Sequence, residues 1–118
     1  MDPPRELSRA SAPQAESPII GEIVTRLVSV YRPKRIYLFG STGRGESGPD
    51  SDYDLMVVLP DNAPGELRRG TPGYLALAGL GIAKDVLVTT ASNFDRQLHL
   101  KASLPATIVR EGKLIYEG

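Results

Sequence analysis

The feature that most constrains this chain is a pair of aspartates at the head of an otherwise apolar strand. The run from Leu55 to Leu59 carries only hydrophobic side chains, so both faces of the strand should be buried, as in the centre of a sheet. Asp52 and Asp54 precede this run, and residues two apart on a strand share a face. Carboxylates held on one face repel each other unless a cation or a shared proton intervenes. The pattern predicts a central strand that presents acidic groups at one end.

A glycine-rich loop comes immediately before this strand. It follows an apolar segment at residues 35–39 and contains Gly40, Gly43, Gly45 and Gly48. Without side chains, the backbone N–H groups of such a loop can approach an anion closely. Together with Ser41 and the aspartates, the loop predicts a nucleotide site, with phosphates on one side and a divalent metal on the other.

A third carboxylate stands inside a later apolar run. Residues 82–89 predict another strand, and Asp85 is the acidic residue within it. A charge in a hydrophobic run normally costs stability unless it is paired. A salt bridge to Lys84 is disfavoured, because adjacent strand residues point to opposite faces. The sequence therefore leaves the charge of Asp85 without a local partner.

The remaining chain predicts helices around these strands. Ser17 and Pro18 are typical of a helix start, apolar residues then recur at helical spacing, and Pro33 ends the helix near Arg32. Further helices are expected at 72–80, from a Ser92 cap to about 101 and from Ser103 to about 112, followed by an edge strand at 113–116. The expected fold class is α/β (α+β), a small mixed β-sheet with helices packed mainly on one face.

Length and composition limit the possible functions. The chain has 118 residues, enough for one domain with a modest core. We expect a flexible tail at 1–17 and a single domain at 18–118. The 14 basic and 14 acidic residues cancel, so we expect no direct nucleic-acid binding. There is no cysteine, no apolar run of membrane-spanning length and no visible signal peptide, which favours a cytoplasmic protein without membrane contact.

The glycine loop and the aspartate pair resemble a known family. Gly40-Ser41 is followed, after ten residues, by Asp52-Tyr53-Asp54, which is similar to the GS-x10-DxD pattern of the DNA polymerase β-like nucleotidyltransferase superfamily. In detail the chain resembles the minimal nucleotidyltransferases, whose loop commonly reads GSxARG. Here the loop reads GSTGRG, with Gly43 where alanine is usual. The resemblance covers about residues 18–118.

The resemblance implies a nucleotidyltransferase fold and assigns roles to individual residues. Three carboxylates would be both catalytic and metal-binding, namely Asp52, Asp54 and Asp85. They would hold two Mg2+ ions, and Asp85 would help deprotonate the attacking hydroxyl. ATP would be the nucleotide donor, with its phosphates bound by Gly40, Ser41, Thr42 and Arg44. Arg44 could instead contact the acceptor or simply be solvated.

The resemblance also implies a partner. Minimal nucleotidyltransferases typically act as antitoxins that transfer AMP from ATP to a tyrosine hydroxyl of a HEPN-domain toxin. No stretch of the sequence is long enough for a separate acceptor-binding domain, so we expect the acceptor site to come from a partner or from a homo- or hetero-oligomer. One alternative is a catalytically weak antitoxin that neutralises the toxin by direct binding. Another is a small-molecule enzyme of the aminoglycoside nucleotidyltransferase type.

Overall fold

The structure is a computed structural model that describes residues 18–40 and 52–118. Within these ranges the elements are α1 (Pro18–Tyr31), β1 (Arg35–Phe39), β2 (Tyr53–Leu59), a 3-10 turn (Gly65–Leu67), α2 (Thr71–Ala76), β3 (Lys84–Thr90), α3 (Ala91–Arg96), α4 (Leu104–Glu111) and β4 (Lys113–Glu117). The tail predicted at 1–17 and most of the glycine-rich loop lie outside the described residues. None of the described helices is both long enough and apolar enough to cross a lipid bilayer.

The four strands form one mixed sheet in the order β3-β2-β1-β4. β1 runs antiparallel to both β2 and β4, whereas β2 and β3 are parallel. A parallel pair needs a crossover connection, and the segment that contains α2 supplies it. The predicted mixed sheet is confirmed, with β2 at its centre and β4 at its edge.

The larger core lies between α1 and one face of the sheet. The buried residues of α1 follow the apolar stripe that helical spacing predicts, namely Ile20, Ile23, Leu27 and Tyr31. They pack against inward side chains of the two central strands, namely Ile36, Leu38, Leu55, Val57 and Leu59. This packing holds β1 and β2 rigidly at the point where the acidic residues begin.

A smaller cluster covers the opposite face of the sheet. It contains Tyr37, Met56 and Val58 from the strands, Phe94 from α3 and Ile108 from α4. The rings of Tyr37 and Phe94 stack with centroids 5.2 Å apart. The expectation of helices mainly on one face thus describes the larger core only. Two short helices also cover the other face, because the central strand is apolar on that side as well.

The start of α3 differs from the prediction. Ser92 is not its N-cap; Thr90 takes that position, and its Oγ1 accepts a hydrogen bond from the Asn93 N–H at 3.4 Å. The amide and hydroxyl of Ser92 both donate to the carboxylate of Asp61 instead. The helix also ends at Arg96, well before residue 101. Sequence alone could not distinguish two neighbouring hydroxyl residues that both suit a helix start.

Tyr31 connects the end of α1 to α2. Its side chain is 1% exposed, and its hydroxyl donates to the carbonyl of Arg69 at 2.7 Å. The same hydroxyl accepts a hydrogen bond from the Gly73 N–H at 2.8 Å. A Cβ on Gly73 would lie 2.9 Å from that oxygen, so glycine permits this close approach. The contact fixes α2 against the larger core.

We expect Tyr31→Phe to lower the free energy of unfolding by about 1–3 kcal/mol, because the buried N–H of Gly73 would lose its acceptor. Urea denaturation measures this change. Tyr116→Phe is the matched control, since Tyr116 lies partly buried on the edge strand β4 and should cost about 0.5 kcal/mol or less. Equal losses in the two variants would contradict the role given to the Tyr31 hydroxyl.

Candidate active site

The sheet brings two of the predicted carboxylates side by side. Asp54 of β2 and Asp85 of β3 are paired in register on neighbouring parallel strands, which lie about 4.8 Å apart. Residues paired in this way share a face of the sheet. Asp52 precedes β2 by one residue and is exposed. These three residues, called the acidic cluster below, therefore lie at one end of the two strands.

Gly40 closes the acidic cluster from the side of β1. It directly follows Phe39, which pairs with Asp54 across the antiparallel ladder, and its φ is 71°. A side chain is strongly disfavoured at this backbone angle. A Cβ at Gly40 would also overlap with Oδ2 of Asp54. Both observations explain why glycine is needed at the first position of the loop.

The electrostatics of Asp54 reflect this arrangement. Partial burial raises the pKa of the Asp54 carboxyl above its usual value, and the negative charges of Asp85 and Asp52 raise that pKa further. Both causes disfavour the charged form of the group. A cation placed between the carboxylates would relieve the repulsion. The cluster is therefore a local energetic cost that a bound cation would offset.

Asp85 has a partner that the sequence did not suggest. Its Oδ1 accepts a hydrogen bond from the hydroxyl of Tyr74, in α2, at 2.7 Å. The oxygen of that hydroxyl accepts a second bond, from the Val86 N–H, at 3.0 Å. Asp85 is exposed, so its charge is not buried inside the apolar run, and its hydrogen-bond partner is a neutral donor on a distant element. The only sequence signal was the placement of Tyr74 in a predicted helix.

The described part of the predicted site is Gly40 together with the acidic cluster, and the structure brings these residues together. Ser41, Thr42 and Arg44 lie outside the described residues. The phosphate-binding role predicted for these three residues therefore stays a prediction.

The acidic cluster offers oxygen ligands only, which suit Mg2+. Among the described residues, no group of three or more His, Cys, Asp or Glu side chains is placed to hold a metal ion, so the metal-binding role predicted for Asp52, Asp54 and Asp85 stays a prediction. Mg2+ commonly binds through one or two carboxylates and completes its shell with waters and substrate phosphates. The residues therefore fit Mg2+ that binds together with a nucleotide, in contrast to an ion enclosed by protein alone.

The sequence matches a family model over most of its length. Residues 20–115 match the model described as nucleotidyltransferase domain, and this range contains the whole acidic cluster. A bifunctional uridylyltransferase/uridylyl-removing enzyme of Psychrobacter sp. (strain PRwf-1) is 34% identical over 56 residues, which make up 47% of this chain and 6% of that enzyme. The chain thus corresponds to a small part of this curated relative.

Solved structures share the fold. A crystal structure of a toxin–antitoxin with AMP-PNP is similar with a TM-score of 0.55 and 22% identity, covering 84% of this chain and 73% of that chain. A mutant of the toxin–antitoxin MntA-HpeT gives a TM-score of 0.55 and 20% identity over the same shares of 84% and 73%. A candidate nucleotidyltransferase from Sulfolobus solfataricus gives a TM-score of 0.56 and 18% identity, covering 97% of this chain and 93% of that chain.

Proposed function

The chain belongs to the nucleotidyltransferase domain family, and from this premise we propose that it transfers a nucleoside monophosphate from a nucleoside triphosphate to a hydroxyl group. The observation that carries the proposal is the pairing of Asp54 with Asp85 on parallel strands, with Gly40 packed against the carboxylate of Asp54. Carboxylates at the end of two rigid strands are held in a fixed geometry. Such a cluster costs stability without a cation, which supports a metal-dependent reaction.

Each described residue of the site has a distinct role in the proposal. Asp52 and Asp54 would bind both Mg2+ ions, since they lie two residues apart at the head of β2. Asp85, from β3, would bind one ion and accept the proton of the attacking hydroxyl. Gly40 would let the start of the loop pass close to Asp54. Bound Mg2+ would supply charge neutralisation on the attacking and leaving oxygens.

The transfer is an in-line displacement at the α-phosphorus. A bond forms between the acceptor oxygen and the α-phosphorus, and the bond from that phosphorus to the bridging oxygen of pyrophosphate breaks. The proton of the acceptor hydroxyl goes to Asp85, and pyrophosphate leaves with the electron pair of the broken bond. The protein itself contributes positioning and electrostatic stabilisation, which supply most of the catalysis in reactions of this type.

We assign ATP as the donor and a tyrosine hydroxyl of a HEPN-domain toxin as the acceptor, so that the chain acts as an antitoxin. The resemblance of the GSTGRG loop to minimal nucleotidyltransferases supports this assignment. A structural neighbour is a toxin–antitoxin with AMP-PNP, an ATP analogue. The MntA-HpeT mutant carries aspartate-to-glutamate changes at two positions that are two residues apart, the spacing of Asp52 and Asp54.

The proposal is tested by mass spectrometry of intact protein. The chain is incubated with Mg2+, one nucleoside triphosphate at a time, and a HEPN-domain protein from the same genome. We expect ATP to add the mass of one or more AMP groups to that protein, and the addition to be lost in Asp52→Ala. Peptide mapping then identifies the modified side chain, expected to be a tyrosine.

Other outcomes separate the alternatives. Tight binding of the HEPN-domain protein without added mass from any nucleotide would favour neutralisation by contact. Addition of a nucleotide to an aminoglycoside, with no addition to protein, would favour a small-molecule enzyme. Transfer that survives in Asp52→Ala would remove the acidic cluster from the mechanism.

A further inference from the structure

Tyr74 lies outside the acidic cluster and is hydrogen-bonded to one of its members. Its hydroxyl donates to Oδ1 of Asp85 at 2.7 Å and accepts from the Val86 N–H at 3.0 Å. The donor and acceptor capacities of the hydroxyl are thus both used on β3. Because the Tyr74 hydroxyl is also bound to the Val86 N–H, it cannot follow the Asp85 carboxylate if that group rotates. Asp85 is therefore restrained by the fold as well as by its own strand.

The position of Tyr74 is itself fixed by contacts to residues before and after it in the chain. The Tyr31 hydroxyl binds the backbone of Arg69 and Gly73 just before it. Arg26 Nη1 donates to the carbonyls of Ala76 and Ala78 just after it, at 3.1 and 3.2 Å. Both anchors come from α1, which packs on the larger core. The hydroxyl of Tyr74 is thereby carried on a helix that is fixed to the body of the domain.

Close packing just before α2 also fixes the position of Tyr74. A Cβ on Gly70 would lie 2.6 Å from the carbonyl oxygen of Val86 and 3.1 Å from the ring of Tyr74. Only glycine allows the segment before α2 to approach β3 this closely. The approach is what brings the tyrosine hydroxyl within hydrogen-bond distance of Asp85.

We propose that Tyr74 is a positioning residue for Asp85, which orients this carboxylate for metal binding and proton transfer in the nucleotidyl transfer proposed above. Asp85 is exposed, and an exposed carboxylate near two like charges would otherwise turn towards solvent. The neutral hydroxyl fixes one of its oxygens without adding charge to the acidic cluster. Partners of metal ligands in this position typically contribute about 10–100-fold to metal affinity or activity.

The test is the affinity for Mn2+, measured by electron paramagnetic resonance in the presence of AMP-PNP. We expect Tyr74→Phe to weaken Mn2+ binding by about 10–100-fold, and to lower kcat for transfer from ATP in the same range while KM for ATP changes less. Tyr116→Phe, on the edge strand β4, is the matched control and should leave both quantities unchanged. Thermal unfolding of each variant shows whether the fold is retained.

A second variant keeps the tyrosine but displaces it. Gly70→Ala places a methyl group against Val86 and the ring of Tyr74, so it should weaken Mn2+ binding in the same direction without removing the hydroxyl. In an Asp85→Asn background, Tyr74→Phe should have no further effect, because Tyr74 acts through Asp85.

Failure of this inference is distinguishable from failure of the proposed function. If Asp85→Asn loses Mn2+ affinity and Tyr74→Phe does not, the positioning role is wrong and the proposed site stands. If Asp85→Asn also binds Mn2+ normally, the metal-binding role of Asp85 is wrong and the positioning role falls with it, whereas the proposed function is decided separately by loss of transfer in Asp52→Ala. If the chain itself gains AMP and peptide mapping places the group on Tyr74, Tyr74 is an acceptor and the positioning role is overturned.

Discussion

Asp54→Asn should abolish nucleotidyl transfer and at the same time make the metal-free domain slightly more stable. The carboxyl of Asp54 interacts with the charges of Asp85 and Asp52, and its pKa is raised by partial burial first and by these two charges next. Asparagine keeps the shape and removes the repelling charge. We expect turnover to fall by at least about 1,000-fold, in the range seen when a group that stabilises a transition state is removed.

The pH dependence follows from the direction of the shift. A carboxyl whose pKa is higher in the folded state binds a proton more tightly there than in the unfolded chain. The contribution of Asp54 to stability is therefore greatest below the ordinary pKa of 3.8 and declines as the pH rises through the folded pKa. In Asp54→Asn, stability should no longer decrease over this pH range because of residue 54. Solvent screening keeps the effect small, so a modest rise in melting temperature at neutral pH is expected.

Asp61→Asn is the matched control, because it is the same substitution just beyond the opposite end of β2. Hydrogen bonds from Ser92 lower the pKa of the Asp61 carboxyl. Neutralising it should leave transfer intact and lower the melting temperature slightly. Differential scanning fluorimetry across pH, with and without Mg2+ and AMP-PNP, measures both variants. Mg2+ with AMP-PNP should stabilise the unmodified chain and the Asp61 variant but not Asp54→Asn.

The sequence predicts the parts of this site that depend on local pattern. The run Leu55–Leu59 is apolar on both faces, so its central place in the sheet and the location of Asp54 at its head could both be inferred. Asp85 could be singled out because a charge in an apolar run needs an explanation. These arguments use only the alternation of side chains along a strand.

Contacts between distant elements could not be predicted in the same way. Tyr74 reaches Asp85 only because α2 crosses back over the sheet between the parallel strands β2 and β3. Its hydrogen bond depends on the approach of Gly70 to Val86, which no periodicity encodes. The same holds for Arg26, whose guanidinium binds carbonyl oxygens fifty residues or more along the chain. Tertiary packing decides these partners.

The bounds of α2, the helix that contains Tyr74, could not be predicted from helix propensity alone. A helix was expected at 72–80, but α2 ends at Ala76. Gly79 and Gly81 then adopt φ angles of 90° and 70°, which an L side chain rarely takes. These glycines turn the chain into β3, which starts at Lys84. The sequence predicts that the helix ends at Gly79 or Gly81, but it does not predict the earlier end at Ala76.

Gly40→Ala should destabilise the domain and inactivate the site together. The φ of 71° at Gly40 is strained for alanine, and the new methyl group would overlap with the Asp54 carboxylate. We expect the free energy of unfolding to fall by about 1–3 kcal/mol. Transfer should fall by about 100-fold or more, since the methyl group displaces a carboxylate that must be held within a fraction of an ångström.

Gly21→Ala is the matched control: the same substitution should stabilise the domain and leave transfer unchanged. Gly21 lies exposed in α1, and a Cβ there meets nothing within 4 Å. Alanine in such a helix position should add about 0.5–1 kcal/mol to the free energy of unfolding, with transfer unchanged. Chemical denaturation and the AMP-transfer assay measure both variants. A stable and active Gly40→Ala would mean that the backbone at Gly40 does not need to lie against Asp54, and the proposed geometry of the site would then be wrong.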